Sequence, residues 1–326
     1  EPTIEFGYGM GSSITNMAHS VHARLKNVAR EQGRPFNDVL QRYGMERFLY
    51  RFSKTKHAHD FTLKGALLLQ AHDMILTRPT RDIDLLGTGD PDADRLEDVV
   101  QDCCTVSVAE DGITFDLDSI TSQSIRAEAR YDGRRLSVMA YLGTARIPIQ
   151  IDVGFGDVVV PRPSSVDYPT ILDFDQPRLQ AYTFESAIAE KYQAMVERGA
   201  FNSRMKDFYD IWWLSQNHPF EGVVLGQAVA ATFKCRGTPV PEKKPVALTS
   251  AFITRRTEAQ WKAFYKKLHA QPARSGDETL SLRAVIDEIA EFLWPLTCSL
   301  SADSDAPATW PPGGSWQSPL SNEPAT

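Results

Sequence analysis

A glycine followed by two aspartates on a strand most strongly constrains what this chain can fold into. Gly65 comes after a strand-like run at 61–63, and Asp82 and Asp84 lie in a second strand-like run beyond an apolar helical segment. Side chains one residue apart on a strand point to the same face, so the two carboxylates lie side by side. They repel each other unless a cation lies between them, and Mg²⁺ prefers carboxylate oxygens together with substrate phosphates. The pair therefore predicts a site for metal-assisted phosphoryl chemistry, with Gly65 letting backbone N–H groups approach a phosphate.

A third carboxylate, Asp152, ends an alternating strand. Ile147, Ile149 and Ile151 share one face of that strand, so Asp152 points to the other. It could ligate a second metal ion beside the first aspartate pair, or take a proton from an attacking hydroxyl. The alternative is a strand-end aspartate that caps the turn at 154–156.

Further charged residues lie in predicted helices after residue 183. Lys191 lies on the shoulder of an apolar helix face, where its ammonium could meet a triphosphate or simply reach solvent. The next helix begins with a charged run in which Asp207 borders an aromatic face, with Arg204 before it and Asp210 one turn on. That arrangement fits either a polar cleft or a charge-laced surface.

Charge is unevenly spread along the chain. The formal net charge is −7, which argues against indiscriminate polyanion binding. The segment 234–267 is +7, however, so the remainder is −14. Its basic residues, interleaved with aromatic ones, fit either a solvated helix face with a packed aromatic side or a contact surface for polyphosphate or RNA. They are Lys234, Arg236, Lys243, Lys244, Arg255, Arg256, Lys262, Lys266 and Lys267.

Several functional classes have no support in the sequence. The four cysteines show neither a C-x-x-C motif nor zinc-ligand spacing, so reduced thiols are expected. No apolar stretch approaches about 18 residues and no signal peptide is visible, so we expect a cytoplasmic protein with no membrane partner. The motifs G-x-x-x-x-G-K-[ST] and G-x-S-x-G are absent, which leaves P-loop and hydrolase functions unsupported.

The order of predicted elements indicates an α+β fold with a helical C-terminal region. Two N-terminal helices precede alternating short strands, and the pattern becomes helical after a proline-rich stretch at 161–177. We predict C-terminal helices at about 184–198, 203–216, 221–233, 256–269 and 279–293. The predicted organisation is a flexible leader (1–14), an α/β core (15–180), a helical domain (181–300) and a disordered tail (301–326).

These motifs, in this order, resemble a known family. The chain is similar, from about residue 18 to about residue 295, to the AbiEii/AbiGii toxin family of nucleotidyltransferases. The family includes the MenT-type toxins, and its members act in type IV toxin–antitoxin and abortive infection systems. The resemblance implies a nucleotidyltransferase-type mixed sheet followed by a helical domain. It is carried by the segments Asn16–Arg30, Phe36–Tyr43, Glu46–Arg51, Phe61–Ala66, Arg78–Leu86, Gln150–Asp157 and Lys206–Asp210.

The resemblance also implies roles for individual residues. Asp82 and Asp84 become ligands of Mg²⁺, or alternatively Mn²⁺, with Asp152 at the place of a third acidic residue. Either Asp207 or Asp210 becomes the downstream catalytic aspartate. Relatives commonly have Gly-Gly or Gly-Ser where this chain has Gly65-Ala66, and we expect the extra methyl group to be tolerated if φ is negative there. The implied nucleotide-binding residues are Lys64, Gly65, Ala66, Arg78, Thr80, Lys191 and Arg204.

The function implied is transfer of a nucleoside monophosphate from an NTP to an acceptor hydroxyl. The resemblance points to the 3′ end of tRNA as acceptor, which would block translation, and to a cognate, AbiEi-like antitoxin as partner. Two alternatives stay open: an enzyme that attaches the nucleotide to a protein side chain, and a nucleotide-binding toxin that acts without transfer.

Overall fold

The computed structural model describes residues 11–71, 80–126, 132–268 and 280–317. It has two compact units, one made of Glu1–Gly156 and Ser165–Ala181, the other of Asp157–Ser164 and Tyr182–Thr326. No helix among the described residues is both long and apolar enough to span a bilayer.

The first unit is a mixed α/β fold with a seven-stranded sheet. The strands are β1 (Phe61–Lys64), β2 (Asp82–Gly87), β3 (Ile113–Arg126), β4 (Asp132–Leu142), β5 (Ala145–Phe155), β6 (Ser164–Asp167) and β7 (Arg178–Ala181). Their order in the sheet is β3-β4-β5-β2-β1-β7-β6. Strands β2 and β5 pair in parallel, as do β1 and β7, while β1–β2, β3–β4 and β4–β5 are antiparallel. The helices are α1 (Gly11–Glu31), α2 (Phe36–Ser53), α3 (Gly65–Ala71) and α4 (Ala93–Thr105).

Alternation along β2 and β5 separates a core face from a polar face. Ile83 and Leu85 of β2 are buried, as are Ile149 and Ile151 of β5. The residues between them are half-buried and turn to the opposite face, where polar side chains collect. The central strands therefore present carboxylates on one side and a hydrophobic core on the other.

The second unit is mostly helical. Thr183 caps the first helix by accepting a hydrogen bond from the Ser186 N–H, and Glu185 lies in the first turn, where the helix dipole favours an anion. A two-stranded sheet pairs β8 (Phe220–Glu221) with β9 (Thr309–Trp310). The elements are α5 (Phe184–Arg198), α6 (Met205–Asn217), β8 (Phe220–Glu221), α7 (Gly222–Cys235), α8 (Arg255–Leu268), α9 (Leu282–Ala302) and β9 (Thr309–Trp310).

The ends of the chain depart from the predicted organisation. Helix α1 begins at Gly11, so residues 11–14 are helical rather than part of a flexible leader. The segment from Ser12 to Gln32 contains neither proline nor glycine, so no helix-breaking residue separates 12–14 from the rest of the helix.

The tail predicted to be disordered from residue 301 is ordered through Gln317. Trp310 is 2% exposed and donates its indole N–H to the Ser215 carbonyl at 2.8 Å. Trp316 stacks on Phe292 with ring centroids 5.7 Å apart. Two tryptophans supply enough apolar area to fix a segment that has no periodicity of its own.

Candidate active site

Three aspartates meet on the polar face of the central sheet. The β2–β5 register places Asp84 beside Asp152 and Asp82 beside Gln150. One carboxylate oxygen from each of Asp82, Asp84 and Asp152 can be chosen so that all three lie within 4.8 Å of one another, and the three side chains are half-buried. In the part of the chain that the structure describes, this is the one group of three or more potential metal-ligating side chains that lie so close.

Two cations flank the central carboxylates in a single cross-strand row. Lys64 of β1 pairs with Asp84, Asp84 with Asp152, and Asp152 with Arg135 of β4. Directly paired residues point to the same face of a sheet, so the row reads cation, anion, anion, cation. The arrangement offsets part of the repulsion between neighbouring carboxylates.

Arg135 holds Asp152 through both carboxylate oxygens. Its Nε donates to Oδ1 at 2.8 Å and its Nη2 to Oδ2 at 2.7 Å, which is the bidentate geometry of a strong charge-assisted pair. The hydrogen bond with Asp152 is the main reason that the pKa of Arg135 is raised above its usual value. Oδ1 also accepts a longer hydrogen bond from the Gln150 amide at 3.4 Å, whereas Oδ2 keeps a lone pair with which to meet a second cation.

Gly65 lies directly against Asp84. It has φ +70°, and a Cβ built on it would overlap the Asp84 carboxylate. From the sequence, we expected a glycine at this position because it lets a phosphate approach the backbone. The structure shows a second reason for glycine here, since any side chain would collide with the Asp84 carboxylate. Lys64 ends β1, and Ala66, 5% exposed, lies in the first turn of α3 and so does not have the positive φ that would strain it.

Thr80 contacts the cluster through Asp82. Its hydroxyl donates to Asp82 Oδ1 at 2.5 Å, so it fixes the rotamer of that carboxylate. The sequence had suggested a phosphate contact for Thr80. Arg78, the other residue proposed for this segment, lies outside the described residues.

The donor set fits a hard divalent cation. All three side chains offer carboxylate oxygens, and neither a cysteine nor a histidine belongs to the group. Such ligands suit Mg²⁺ or Mn²⁺ and do not favour soft metals. The short distances between the three carboxylates are what a shared cation would stabilise.

A second charged cluster lies within the helical unit. Lys191 Nζ is 2.9 Å from Asp210 Oδ2 and 3.5 Å from Asp207 Oδ1, and Arg204 Nε is 2.7 Å from Asp207 Oδ2. Asp207 and Asp210 are 1% and 0% exposed, which a carboxylate tolerates only with partners of opposite charge. The structure thus brings together all four residues that the sequence selected in this region.

Arg135 is the residue that sequence reasoning missed. The turn at Gly143-Thr144 joins β4 to β5, with Leu142 paired to Ala145, and that register leads to the pair of Arg135 with Asp152. Recognising a two-residue hairpin turn there would have identified Arg135 from the sequence alone.

Comparisons with known proteins identify one family and two similar solved structures. A family described as "Nucleotidyl transferase AbiEii toxin, Type IV TA system" matches residues 47–288. Two solved structures from Helicobacter pylori are similar, each at 12% identity over 82% of this chain. JHP933 is covered over 94% of its length with a TM-score of 0.46, and a proposed nucleotidyltransferase over 97% with a TM-score of 0.45. No curated protein matches. The family match confirms the resemblance seen in the motifs, and this chain belongs to the AbiEii family of nucleotidyl transferase toxins of type IV toxin–antitoxin systems.

Proposed function

We propose that this enzyme transfers a nucleoside monophosphate from an NTP to an acceptor hydroxyl, with a divalent metal ion held by Asp82, Asp84 and Asp152. The observation that carries the proposal is the set of three carboxylates gathered within 4.8 Å on the sheet face. Its presence in a chain of a nucleotidyl transferase family supports assigning the cluster to that chemistry. Mg²⁺ is the ion we propose, with Mn²⁺ as the alternative.

A divalent ion at these oxygens supplies charge neutralisation at the phosphate that is attacked. The protein's own contribution is to hold the ligands in place. Thr80 fixes Asp82, Arg135 fixes Asp152, and Gly65 leaves space for Asp84. A ligand set that is ordered in advance loses little entropy when it binds its ion and substrate.

In the transfer itself, the acceptor oxygen forms a bond to the α-phosphorus of the NTP. The bond between the α-phosphorus and the bridging oxygen breaks, and pyrophosphate leaves with the electron pair. The hydroxyl proton passes to a base. Asp152 was one candidate for that base, but both of its oxygens accept hydrogen bonds from Arg135, so we favour the role of metal ligand for it.

The helical cluster supports a phosphate-binding role for Lys191. We propose that its ammonium contacts nucleotide phosphates and that Asp207 and Asp210 position it, because both lie within ion-pair distance of Nζ. Arg204, 41% exposed and paired with Asp207, is proposed as a second phosphate contact, together with Lys64 and Arg78. A cation on the departing pyrophosphate would stabilise the charge that develops there.

The proposed acceptor is the 3′ end of tRNA, and modification there would stop translation. The basic segment 234–267 supports an RNA acceptor in a chain whose net charge is otherwise acidic. Membership of a type IV toxin–antitoxin family implies an antitoxin partner, which we propose to be AbiEi-like.

The acceptor is tested by incubating the purified protein with each α-³²P-labelled NTP, Mg²⁺ and total bacterial RNA. We expect label in the tRNA band, sensitive to nuclease and absent when EDTA is added. Label in protein bands alone would replace the tRNA acceptor with a protein side chain. Toxicity that persists in Asp84→Asn, without label anywhere, would favour a toxin that acts without transfer.

A further inference from the structure

An almost fully exposed phenylalanine lies at the surface of the helical unit. Phe201 belongs to the 3₁₀ turn Gly199–Phe201 between α5 and α6, and it is 86% exposed, the largest value for a large apolar side chain among the described residues. Single exposed apolar side chains are ordinary, so the surroundings of this ring decide whether it has a role.

Those surroundings are both apolar and basic. The turn contacts a second 3₁₀ turn, Val246–Leu248, whose Val246 is itself 42% exposed. Arg256, in the first turn of α8, donates from Nη2 to the Ala200 carbonyl at 2.6 Å, which places a guanidinium beside the residue that precedes Phe201. Lys243 and Lys244, also exposed, lie three and two residues before Val246 in the chain.

The segment 234–267 carries an excess of exposed positive charge. Of the nine basic residues in 234–267, Arg236 alone is paired away from the surface, with Asp157 at 2.9 Å and Glu190 at 3.2 Å, and the other eight are exposed. Exposed acidic residues within the segment are limited to Glu242 and Glu258. A positive surface of this kind complements a polyanion.

We propose that this surface, made of Phe201, Val246, Lys243, Lys244 and Arg256, binds a single-stranded segment of RNA, with a base stacked on Phe201. The inference rests on the proposed function, since it names a contact for the RNA acceptor. A flat exposed ring surrounded by cations suits an unpaired base and its phosphates. A protein partner would instead call for a broader apolar centre than one ring and one valine.

The test measures RNA binding directly, without NTP. The probes are a tRNA transcript with its single-stranded 3′ tail and the same transcript without the tail, compared by fluorescence anisotropy. We expect Phe201→Ala to weaken binding of the tailed probe about ten-fold, because it removes the ring on which one base stacks, and to remove the preference for the tail. Val223→Ala, which truncates another exposed apolar side chain (58%), is the matched control and should change neither.

A second pair of variants tests the charges. Lys244→Ala should lower the slope of log affinity against log salt by about 0.7, as expected for one phosphate contact on a single strand. The control is Lys262→Ala, an exposed lysine in α8 that is not part of the proposed surface.

Three outcomes separate this inference from the proposed function. If Phe201→Ala binds both probes as the wild type does, the inference fails even where label is transferred to tRNA. If the wild type binds the tailed probe through Phe201 but transfers no label to it, the proposed function fails and the inference stands. If Phe201→Ala keeps wild-type RNA binding but no longer binds the co-encoded antitoxin, the surface belongs to a protein partner and the inference fails.

Discussion

The site depends on single residues whose replacement has distinct costs, and Gly65 is the clearest case. Gly65→Ala places a methyl group where the Asp84 carboxylate lies and adds strain at φ +70°. Gly89 has φ +82°, and a Cβ there would meet the Arg95 guanidinium at an ordinary contact distance of 3.8 Å, so Gly89→Ala carries only the conformational strain, about 1–2 kcal/mol. We predict that both variants lose thermal stability and that only Gly65→Ala loses nucleotidyl transfer. Equal activity in the two variants would show that Asp84 needs no room from Gly65.

Arg135 should determine how strongly repulsion among the three clustered carboxylates destabilises the metal-free protein. Arg135→Gln removes the bidentate partner of Asp152 and leaves three nearby carboxylates with less compensating charge. Because Arg135 is 41% exposed, we expect a loss of only about 1 kcal/mol in EDTA, together with a larger stabilisation by Mn²⁺ than the wild type shows. Thermal unfolding with EDTA and with Mn²⁺ measures both effects.

The matched control for that variant is Arg134→Gln. Arg134 neighbours Arg135 on β4 but donates to the Pro91 carbonyl at 3.1 Å instead of to the acidic cluster. Its metal-induced shift should equal that of the wild type. If Arg135→Gln also shows the wild-type shift, Arg135 does not govern the charge of the cluster.

Glu46 should make the stability of the α/β unit depend on pH. Burial raises the pKa of its carboxyl from 4.5 to about 7, against the opposing effects of the Ile171 N–H and of Arg47. The folded state therefore holds the proton more tightly than the unfolded chain, and stability is lost as the pH rises from 4.5 to 7. A shift of this size corresponds to roughly 3 kcal/mol.

Glu46→Gln stays neutral and should escape that loss. We predict that its free energy of unfolding, relative to the wild type, increases by roughly 3 kcal/mol between pH 4.5 and pH 7.5, as measured by denaturant unfolding at each pH. Glu110→Gln, at an exposed position of the same unit, is the control and should show no such trend. A constant difference across this range would mean that folding leaves the pKa of Glu46 unchanged, and would contradict the prediction.

At the level of strands, the alternation of side chains was predicted and the pairing register was not. The side chains of Ile147, Ile149 and Ile151 indicated correctly that Asp152 turns away from the core, because alternation is a local property of a strand. Its pairing with Arg135 depends on how two strands align, and the hairpin turn that fixes this alignment was not recognised. Thr80 shows a similar limit, because its hydrogen bond to Asp82 depends on side-chain rotamers, which a sequence pattern does not specify.

Helix α9 and the tail after it show where local rules stop. The helix was expected to end near residue 293, yet it continues through Pro295 to Ala302 although proline removes a backbone hydrogen bond. Leu293 and Leu296, on either side of the proline, are buried, so packing holds the helix together there. The docking of Trp310 and Trp316 likewise depends on residues far away in sequence.

The C-terminal segment should be a stabilising part of the helical unit. Trp310→Ala removes a side chain that is 2% exposed, lies 4.8 Å from Phe292 between ring centroids and bonds the Ser215 carbonyl. We predict a loss of about 3–5 kcal/mol in the free energy of unfolding. Phe201→Ala, which truncates an aromatic ring that is 86% exposed, should cost less than about 0.5 kcal/mol. Similar losses in the two variants would mean that the tail adds no packing energy.

For the whole molecule, hydrophobic periodicity anticipated most of the architecture. The predicted helices at 184–198, 203–216 and 221–233 correspond to α5, α6 and α7 with ends that differ by at most two residues, because amphipathic helices bury one continuous face. The mixed sheet was implied by the family resemblance, and the family match confirms the enzyme class. The acceptor is a different kind of question, since it depends on a partner that neither periodicity nor spacing specifies.

The central claim is that the carboxylate cluster on the sheet performs nucleotidyl transfer. It is tested most directly by the rate at which label from an α-³²P-NTP enters total RNA, measured in parallel for the wild type, Asp84→Asn and Asp118→Asn. Asp118 is an exposed aspartate on β3 outside the cluster. We predict wild-type rates for Asp118→Asn and a loss of about a hundred-fold or more for Asp84→Asn. A wild-type rate in Asp84→Asn would contradict it.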